Sequence, residues 1–576
     1  MKTAGLAGIG IAIALSGVAR GQVVTLEGVA LALVPAFGPG GGAKWSTLDT
    51  PLISPDGNLV FQARLDAGPG VAPNGVWYGD TGAFTELAGP NTLPPGIPAG
   101  INWYAVPETY TPVMTPDGLI AFRATLLGGG VATNEDKGIW AGLPGSIQLV
   151  ARENDNLTGV AGEAIDEITS VSNGPSLSNG RLAFHARIRG ASSLNDYATW
   201  LWEPGAGLTM LVREGDPVPG GLSATFANNL GTGINVAPDG SVWFNSALAG
   251  AGIDTTNDDS LWYGQPGALQ LVAREGDQAP GLDPGITLRN SARLDSANAL
   301  GTLLFDSRIQ GPGITSGQND ACLWMGTPGS FDVLMRQGDP LPGGGPGIVT
   351  GLSEAHLNDS GQVLSSVLTS EGFGLLLGSQ GNLAPIVREY WPAPGAGDGA
   401  AFHAGDFSQC FRFARINDAG QVAFVGRVSG PGIAGSYAQG IWVHNPGAGL
   451  ALVAMEGQQI MPGDTSTRTI ATIDVRLDFP SSGRGTWFTT DTEGNGVLAF
   501  RFTDTFGTQN IMRATIKRIT CPGDADADND VDIDDLSVVL FNYGTAGPDG
   551  DLNGDGVVDL VDLNLLLFHF GTVCPV

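Results

Sequence analysis

Short apolar runs alternate with connections rich in Gly, Pro and Asp along most of this chain, and the alternation itself repeats. The second unit shows it best. An apolar approach at 110–114 meets the turn Thr115-Pro116-Asp117-Gly118, and a strand-like run follows at 119–126. After a Gly-rich loop come further runs at 138–142 and 147–152. Asp-Gly or Asn-Gly between alternating apolar residues is the strongest short hairpin signal, because the turn needs positive φ. It stands at Asp56-Gly57, Asp117-Gly118, Asn179-Gly180 and Asp239-Gly240. The turn glycine recurs at 57, 118, 180, 240, 301, 361 and 420, a step of 59 to 62 residues. Four places on, Phe61, Phe122, Phe184, Phe244, Phe305 and Phe424 keep the same step, broken only by Ser365.

Four antiparallel strands in about 60 residues make one blade of a β-propeller. The pattern therefore predicts an all-β fold, a propeller of about eight four-stranded blades, seven clear and one divergent. The divergent unit is placed at 466–517, around Trp487, Phe488 and an echo of the repeat from Asn495-Gly496 to Phe500. The run at 29–34 resembles a fourth strand and is expected to complete the last blade, clasping the start of the chain to its end. An open β-solenoid is the alternative, although its stacking would be interrupted by such long Pro and Gly loops. The third strand carries Trp77, Trp140, Trp202, Trp262, Trp324 and Trp442, with Leu376 standing in once. A large flat side chain at one place in every unit is expected to pack between units, not to stack on a ligand.

A charged loop follows the fourth strand as Arg213-Glu214-Gly215-Asp216, Arg274-Glu275-Gly276-Asp277 and Arg336-Gln337-Gly338-Asp339. Arg152-Glu153 and Arg388-Glu389 are partial copies. A catalytic site is normally built once, so repetition in nearly every blade points to a turn whose Arg pairs with a nearby acid. Asn and Asp also recur before the third strand, as in Asn195-Asp196 and Asn319-Asp320, where their side chains stabilise turns. Both sets of loops should open on the same face of the ring, the first place to look for a partner.

The stretch Asn417-Asp418-Ala419-Gly420-Gln421-Val422-Ala423-Phe424 resembles the bacterial tandem-repeat proteins named for an Asn-x-x-Gly-x-x-Ala-Phe motif, over roughly residues 45–515. The unit at Asn358 and Gly361 loses Ala-Phe, and others replace Asn. The resemblance implies architecture and a secreted location; it implies no activity.

A formal charge of −30 argues against nucleic acid or anionic membranes as partners. Residues 1–21 read as a secretory signal, with Lys2, a short apolar run and small residues before Gln22. No later segment reaches the length of a transmembrane span. The mature chain is expected outside the cytoplasm, with 22–517 as the propeller and 518–576 as a separate module. The sequence holds neither a His-Glu-x-x-His pair nor a Gly-x-Ser-x-Gly elbow, so a zinc hydrolase or a serine hydrolase of that kind has no support.

Residues 521–576 contain 12 Asp and no Lys, Arg or Glu. In the loop from Asp551 to Asp562, oxygen ligands fall at Asp551, Asn553 and Asp555. The Val557 carbonyl, Asp559 and Asp562 follow at positions 7, 9 and 12, the spacing of a calcium loop with Gly556 at its sharp turn. Twenty-seven residues earlier, Asp524, Asp526, Asp528, Asp532 and Asp535 take the same places, with the Asp530 carbonyl at position 7 and Asn529 in place of Gly. Two calcium ions are therefore expected, each loop leading into a helix, at 536–543 and 563–570, that stops at Gly544 or Gly571. Cys521 and Cys574 bracket the module; a disulfide there would clasp its ends. Cys322 and Cys410 fall in the fifth and seventh blades and are expected to be unpaired.

The duplicated loop-helix unit, with Asp at position 12, resembles a type I dockerin across 521–576. That resemblance implies a cohesin-like domain or cell-surface scaffold as partner, contacted through helices carrying Val538, Leu540, Asn542, Leu565, Leu567 and His569. Two functions remain open at this point. One is a secreted, non-enzymatic binding or display propeller, with polysaccharide as a candidate ligand, anchored by its calcium-dependent tail. The other is a carbohydrate-active enzyme, a glycoside hydrolase or polysaccharide lyase, delivered to an assembly. An enzyme should carry a unique acid cluster in one part of the ring; a display module should be near-uniform.

Overall fold

The computed structural model describes residues 11–12, 24–32, 44–66, 74–81, 83–105, 112–168, 176–230, 234–289, 292–342, 347–403, 410–433, 435–446, 449–462, 466–476, 486–517, 523–526, 530–545, 550, 552 and 557–572. Eight antiparallel sheets form an eight-bladed β-propeller, followed by a small C-terminal region with two short helices. Seven blades are each drawn from one sequence unit. In the second, Ile101–Ala105, Ile120–Gly128, Lys137–Gly142 and Gln148–Arg152 lie side by side in that order, with Val113–Met114 also on the second strand. The open solenoid is thereby set aside. In the first blade Ile53 N donates to Thr486 O at 3.0 Å, joining it to the last.

The eighth blade closes the ring as expected, with a shift. Its fourth strand is Val24–Leu31, paired with Gln509–Ile516 from Val24↔Ile516 to Leu31↔Asn510, so the clasp begins earlier than 29–34. Its turn also differs from the echo at Asn495-Gly496. Gly494 N donates to Asp491 O at 3.1 Å, and Gly494 has the positive φ (85°) of the other turn glycines. The repeat is thus in register at Asp491–Gly494, and Asn495 already pairs across the turn with Asp491.

The first strand of most blades comes in two pieces, a feature that the apolar pattern did not reveal. The earlier piece pairs with the far end of the second strand and the later piece with its near end. Ile101–Ala105 and Val113–Met114 divide it in this way in the second blade, and Ala401–Phe402 and Phe411–Ile416 in the seventh. Among the described residues, the sixth blade alone has one continuous first strand, Val349–Leu357. The later pieces contact their counterparts in neighbouring blades, which places them nearest the axis.

The motif Asn is more than a turn former. Asn358 Oδ1 accepts from Gln362 N at 2.8 Å while its Nδ2 donates to Asn417 O of the next blade at 3.1 Å. Asn298 Nδ2 reaches Asn358 O (3.2 Å), and Asn417 Nδ2 reaches Thr489 O (3.4 Å). Asp359 and Asp418 add a second line, accepting from Ala299 N and Asp359 N. Blades five to eight are stapled turn to turn. Where Asn is absent, an arginine substitutes: Arg513 Nη1 donates to Gly57 O at 2.9 Å. Gly57 combines φ of 83° with that close approach, since a Cβ there would lie 2.6 Å from Arg513 Nη1.

Between blades the core is aromatic. Phe184 stacks on Trp200 at 5.7 Å and Phe305 on Trp324 at 5.0 Å, each pair directly opposed across the second and third strands. The register corrects one assignment: Trp200, not Trp202, is the third blade's member of the row, because Phe184 faces Trp200 and Leu182 faces Trp202. Both are buried. In three blades the Pro/Gly loop that precedes the first strand caps this core. Trp140, Trp324 and Trp442 each donate Nε1–H at 3.0 Å to a loop carbonyl, that of Pro95, Pro280 or Pro394. The Trp row is packing, as expected. Cys322 and Cys410 are free and buried.

Burial also sets a pH response. His185 and His444 are enclosed, and loss of solvent lowers each imidazole to about 4. The folded protein keeps both neutral, whereas the unfolded chain protonates them below its ordinary value near 6.5. Acid therefore favours unfolding, and stability falls as pH drops from about 6.5 towards 4, by up to about 1.4 kcal/mol per pH unit for each histidine. Urea midpoints measured across that window should fall less steeply for His444→Gln than for the natural chain; parallel slopes would contradict the assignment.

Candidate functional site

The repeated charged loops are the first candidate, and their geometry is structural. Glu214 Oε2 accepts from Tyr197 N at 3.3 Å, Glu153 Oε2 from Lys137 N at 3.2 Å, and Glu456 Oε2 from Gln439 N at 2.9 Å. Each carboxylate closes the start of the third strand. The preceding arginines donate Nε–H to the loop before that strand: Arg152 to Glu135 O, Arg213 to Asn195 O and Arg336 to Asn319 O. Arg213 also forms a bidentate pair with Glu163 at 2.7 and 3.0 Å, which holds that carboxyl below its ordinary range. The loop aspartates cap the strand, with Asp155 accepting from Arg152 N and Asp216 from Arg213 N. Asn195-Asp196 and Asn319-Asp320 are likewise spent on turns, Asp320 pairing with Arg308 at 2.7 Å. These repeated acids are engaged within the fold, which fits a structural role for the loops.

One cluster on the inner strands does not repeat. Arg293 bridges two carboxylates, Asp295 at 2.8 Å and Asp306 at 2.9 Å. In the next blade Glu354 lies 3.8 Å from His356 Nε2, and Arg415 of the seventh blade reaches that same nitrogen at 3.3 Å. Asp295 and His356 are buried, and among the described residues Asp295 Oδ2 and His356 Nδ1 have no hydrogen-bond partner. Burial, reinforced by Asp306 and Glu354, pushes the Asp295 carboxyl well up; burial and the two arginines push His356 well down. The corresponding positions in the first two blades are Leu52 and Val113, where His356 and Arg415 stand in the sixth and seventh. The same position holds the uncharged Asn235 and Ser296 in the fourth and fifth blades, so a titratable side chain just before the turn was the available sequence signal, and a period-based reading passes over it.

The second candidate is the C-terminal region. Helices Ile533–Asn542 and Leu560–His569 begin one turn earlier than expected, because Asp532 and Asp559 are their N-caps. Each forms a capping box with the acid three places on, Asp535 or Asp562. The position-12 aspartates therefore sit inside the first turn, both fully buried. Asp535 accepts from Ala525 N, Asp526 N and Asp532 N; Asp562 accepts from Leu552 N and Asp559 N. The two halves match and interlock. Val531 exchanges hydrogen bonds with Gly571 and Thr572, and Val558 does so with Gly544 and Thr545, so each loop is tied to the chain leaving the other helix. Gly544 and Gly571 have φ of 79° and 81°, the helix stops that the sequence marks.

Two overlapping groups, Asp524 with Asp526 and Asp535, and Asp530 with Asp532 and Asp535, bring carboxylate oxygens within 4.8 Å of one another and could hold a metal ion. Five carboxylates, four of them gathered around the buried Asp535, fit a hard cation with oxygen ligands. Asp528, Asp551, Asn553 and Asp555 lie outside the described residues, as do Cys521 and Cys574. Val557, Asp559 and Asp562 are described; Asp559 is the N-cap of the second helix and Asp562 lies in its first turn. No helix among the described residues is long and apolar enough to cross a membrane.

A family model described as a family of unknown function, DUF7453, matches residues 24–373 and 239–512. No curated protein matches. Among solved structures, the β-propeller domain of the Trilobed protease from Pyrococcus furiosus is 10% identical, covering 71% of this chain and 98% of its own, with a TM-score of 0.36. Apo prolyl oligopeptidase B from Galerina marginata is 9% identical, covering 80% of this chain and 56% of its own, at 0.36.

Proposed function

The chain belongs to the DUF7453 family, whose function is unknown, and from its own residues we propose a secreted, non-enzymatic binding or display propeller. Its anchor to a scaffold or cell surface is a dockerin-like module that binds two calcium ions. The observation that carries this reading is the interlocked pair of Asp-capped loop-helix units with buried acids at Asp535 and Asp562. Calcium would supply the positive charge that lets these carboxylates converge. The residues to hold it are Asp524, Asp526, Asp528, Asp530, Asp532 and Asp535 in one loop. Asp551, Asn553, Asp555, Val557, Asp559 and Asp562 take those roles in the other. The partner surface would be the exposed apolar residues that the 27-residue duplication sets in pairs, Leu540 with Leu567 and Phe541 with Phe568. The test is capture of the full chain on an immobilised type I cohesin in Ca²⁺. Release by chelator is the expected result, and absence of capture in Ca²⁺ counts against the anchor.

A second reading, a carbohydrate-active enzyme delivered by the same tail, is favoured by one observation. Asp295, Asp306 and Glu354 with Arg293, His356 and Arg415 form a cluster confined to blades five to seven, the asymmetry that distinguishes a catalytic ring from a uniform one. Carboxyls held in unlike environments are the usual raw material of glycoside hydrolysis.

A further inference from the structure

The loop after the sixth blade breaks the rule that every comparable loop obeys. Its third position has a left-handed backbone in each blade where the motif is present: φ is 71° at Asn154, 85° at Gly215, 82° at Gly276, 93° at Gly338 and 86° at Gly457. Glycine, or asparagine once, suits that conformation. In the sixth blade the residue is Tyr390, with φ of 66°. The backbone has no freedom to relax, because Tyr390 N donates to Phe402 O at 2.8 Å, as Gly215 N does to Phe226 O. A tyrosine there is strained, and its ring is 66% exposed, so packing in the fold does not compensate.

The next position is equally unusual. Asp155 and Asp216 stand there in other blades and cap the preceding arginine's amide, whereas here it is Trp391, 41% exposed. Two consecutive residues that serve the fold elsewhere are replaced by exposed aromatics that do not.

These rings do not stand alone. Glu389 lies beside the Tyr390 hydroxyl, and the Tyr390 ring meets His403 in a T-shaped contact at 6.3 Å. His403 N donates to Arg427 O, and the Arg427 guanidinium lies 4.2 Å over the exposed ring of Tyr437. The strip crosses from the sixth blade to the seventh on the face where the loops after the fourth strand and before the third strand open. The Arg427 guanidinium is engaged on an aromatic face, which does not favour an anionic ligand. Flat rings interleaved with neutral or compensated hydrogen-bonding groups match a ligand with C–H faces and hydroxyl edges.

We propose that Tyr390, Trp391, His403 and Tyr437 form a saccharide-binding platform on the loop face of blades six and seven. The inference deepens the binding reading of the propeller and rests on it, while remaining independent of the calcium tail. A proline-rich segment, the other chemistry that aromatic strips accept, is an outcome of the test.

The experiment titrates the full chain with neutral oligosaccharides of cello-, xylo- and manno- type, and with decaproline, following tryptophan fluorescence and calorimetry. The natural chain should bind at least one oligosaccharide. Trp391→Ala should weaken that binding about tenfold or more. Tyr390→Gly is the decisive variant, because glycine relieves the left-handed strain. Its thermal midpoint should rise while its saccharide affinity falls, so lost binding cannot be laid to misfolding. Unchanged affinity in both variants overturns the platform, as does decaproline binding with no saccharide binding. Cohesin capture should be the same for all three proteins, so failure here is distinguishable from failure of the anchor.

Discussion

Removing residues 22–32 is expected to destabilise the whole ring, not merely one blade. The strand Val24–Leu31 is the sole partner of the Gln509–Ile516 edge on that side, and it buries Val24, Leu26, Val29 and Ala30. Burial of each of the three larger apolar side chains contributes about 1.5–3 kcal/mol. Glu27 adds the partner of Arg513 at 2.6 Å, and Arg513 in turn reaches Asp80 and Gly57 O of the first blade. The clasp therefore holds the eighth blade together and also fixes its contact with the first. Without it, an apolar edge and two blade interfaces become available to other chains. The shortened protein should melt well below the chain beginning at Gln22 and should aggregate on heating, as read by scanning calorimetry with light scattering. Superimposable melts would show that the ring closes by other means. Gly28→Ala offers a milder version, since a Cβ at that position would fall 1.7 Å from the Pro462 carbonyl oxygen.

What made the ring legible in the sequence was geometry that only a few residues can satisfy. A turn glycine at positive φ and an aromatic four places on leave little choice, so the period, the blade count and the packing role of the Trp row could be read directly. The errors arose where neighbouring residues were chemically alike. Trp200 and Trp202 both suit a buried strand, and only the pairing of Phe184 decides between them. Asp491 and Asn495 both suit a turn, and only the amide of Gly494 decides. The stapling role of the motif Asn was out of reach for another reason. Its amide nitrogen bonds a carbonyl about 60 residues away in the next blade, a contact with no local signature. The inner cluster of Arg293, Asp295, Glu354, His356 and Arg415 was hidden in the same way, because three blades contribute to it. The acidic loops at the C-terminal end are the opposite case. A spacing of acids within twelve residues is local by nature, and Asp524, Asp526, Asp530, Asp532 and Asp535 come together in two overlapping groups that could hold a metal ion.

The interlock between the two halves of the C-terminal region leads to a prediction sharper than simple metal dependence. The region buries only Val531, Val539, Val558 and Leu566 as a core, with Ala525, Leu536, Leu552 and Leu563 packed around them. If the proposed calcium ions bind here, they would offset the repulsion among acids gathered at one buried carboxylate and would supply folding free energy that so small a core lacks. Each loop is hydrogen-bonded to the chain leaving the opposite helix through Val531 and Val558, so losing one site loosens the other. Chelation should therefore release amide-exchange protection in segments 531–545 and 558–572 together, while leaving the propeller's exchange unchanged. Asp562→Ala removes a proposed ligand from the second loop alone, yet calorimetric Ca²⁺ binding should weaken by roughly tenfold or more at both proposed sites. Exchange should accelerate in the first helix, Ile533–Asn542, as well as in the second. A variant that keeps one site at full affinity, with the first helix still protected, would show that the loops fold independently and that the cross-bridges between them carry no coupling.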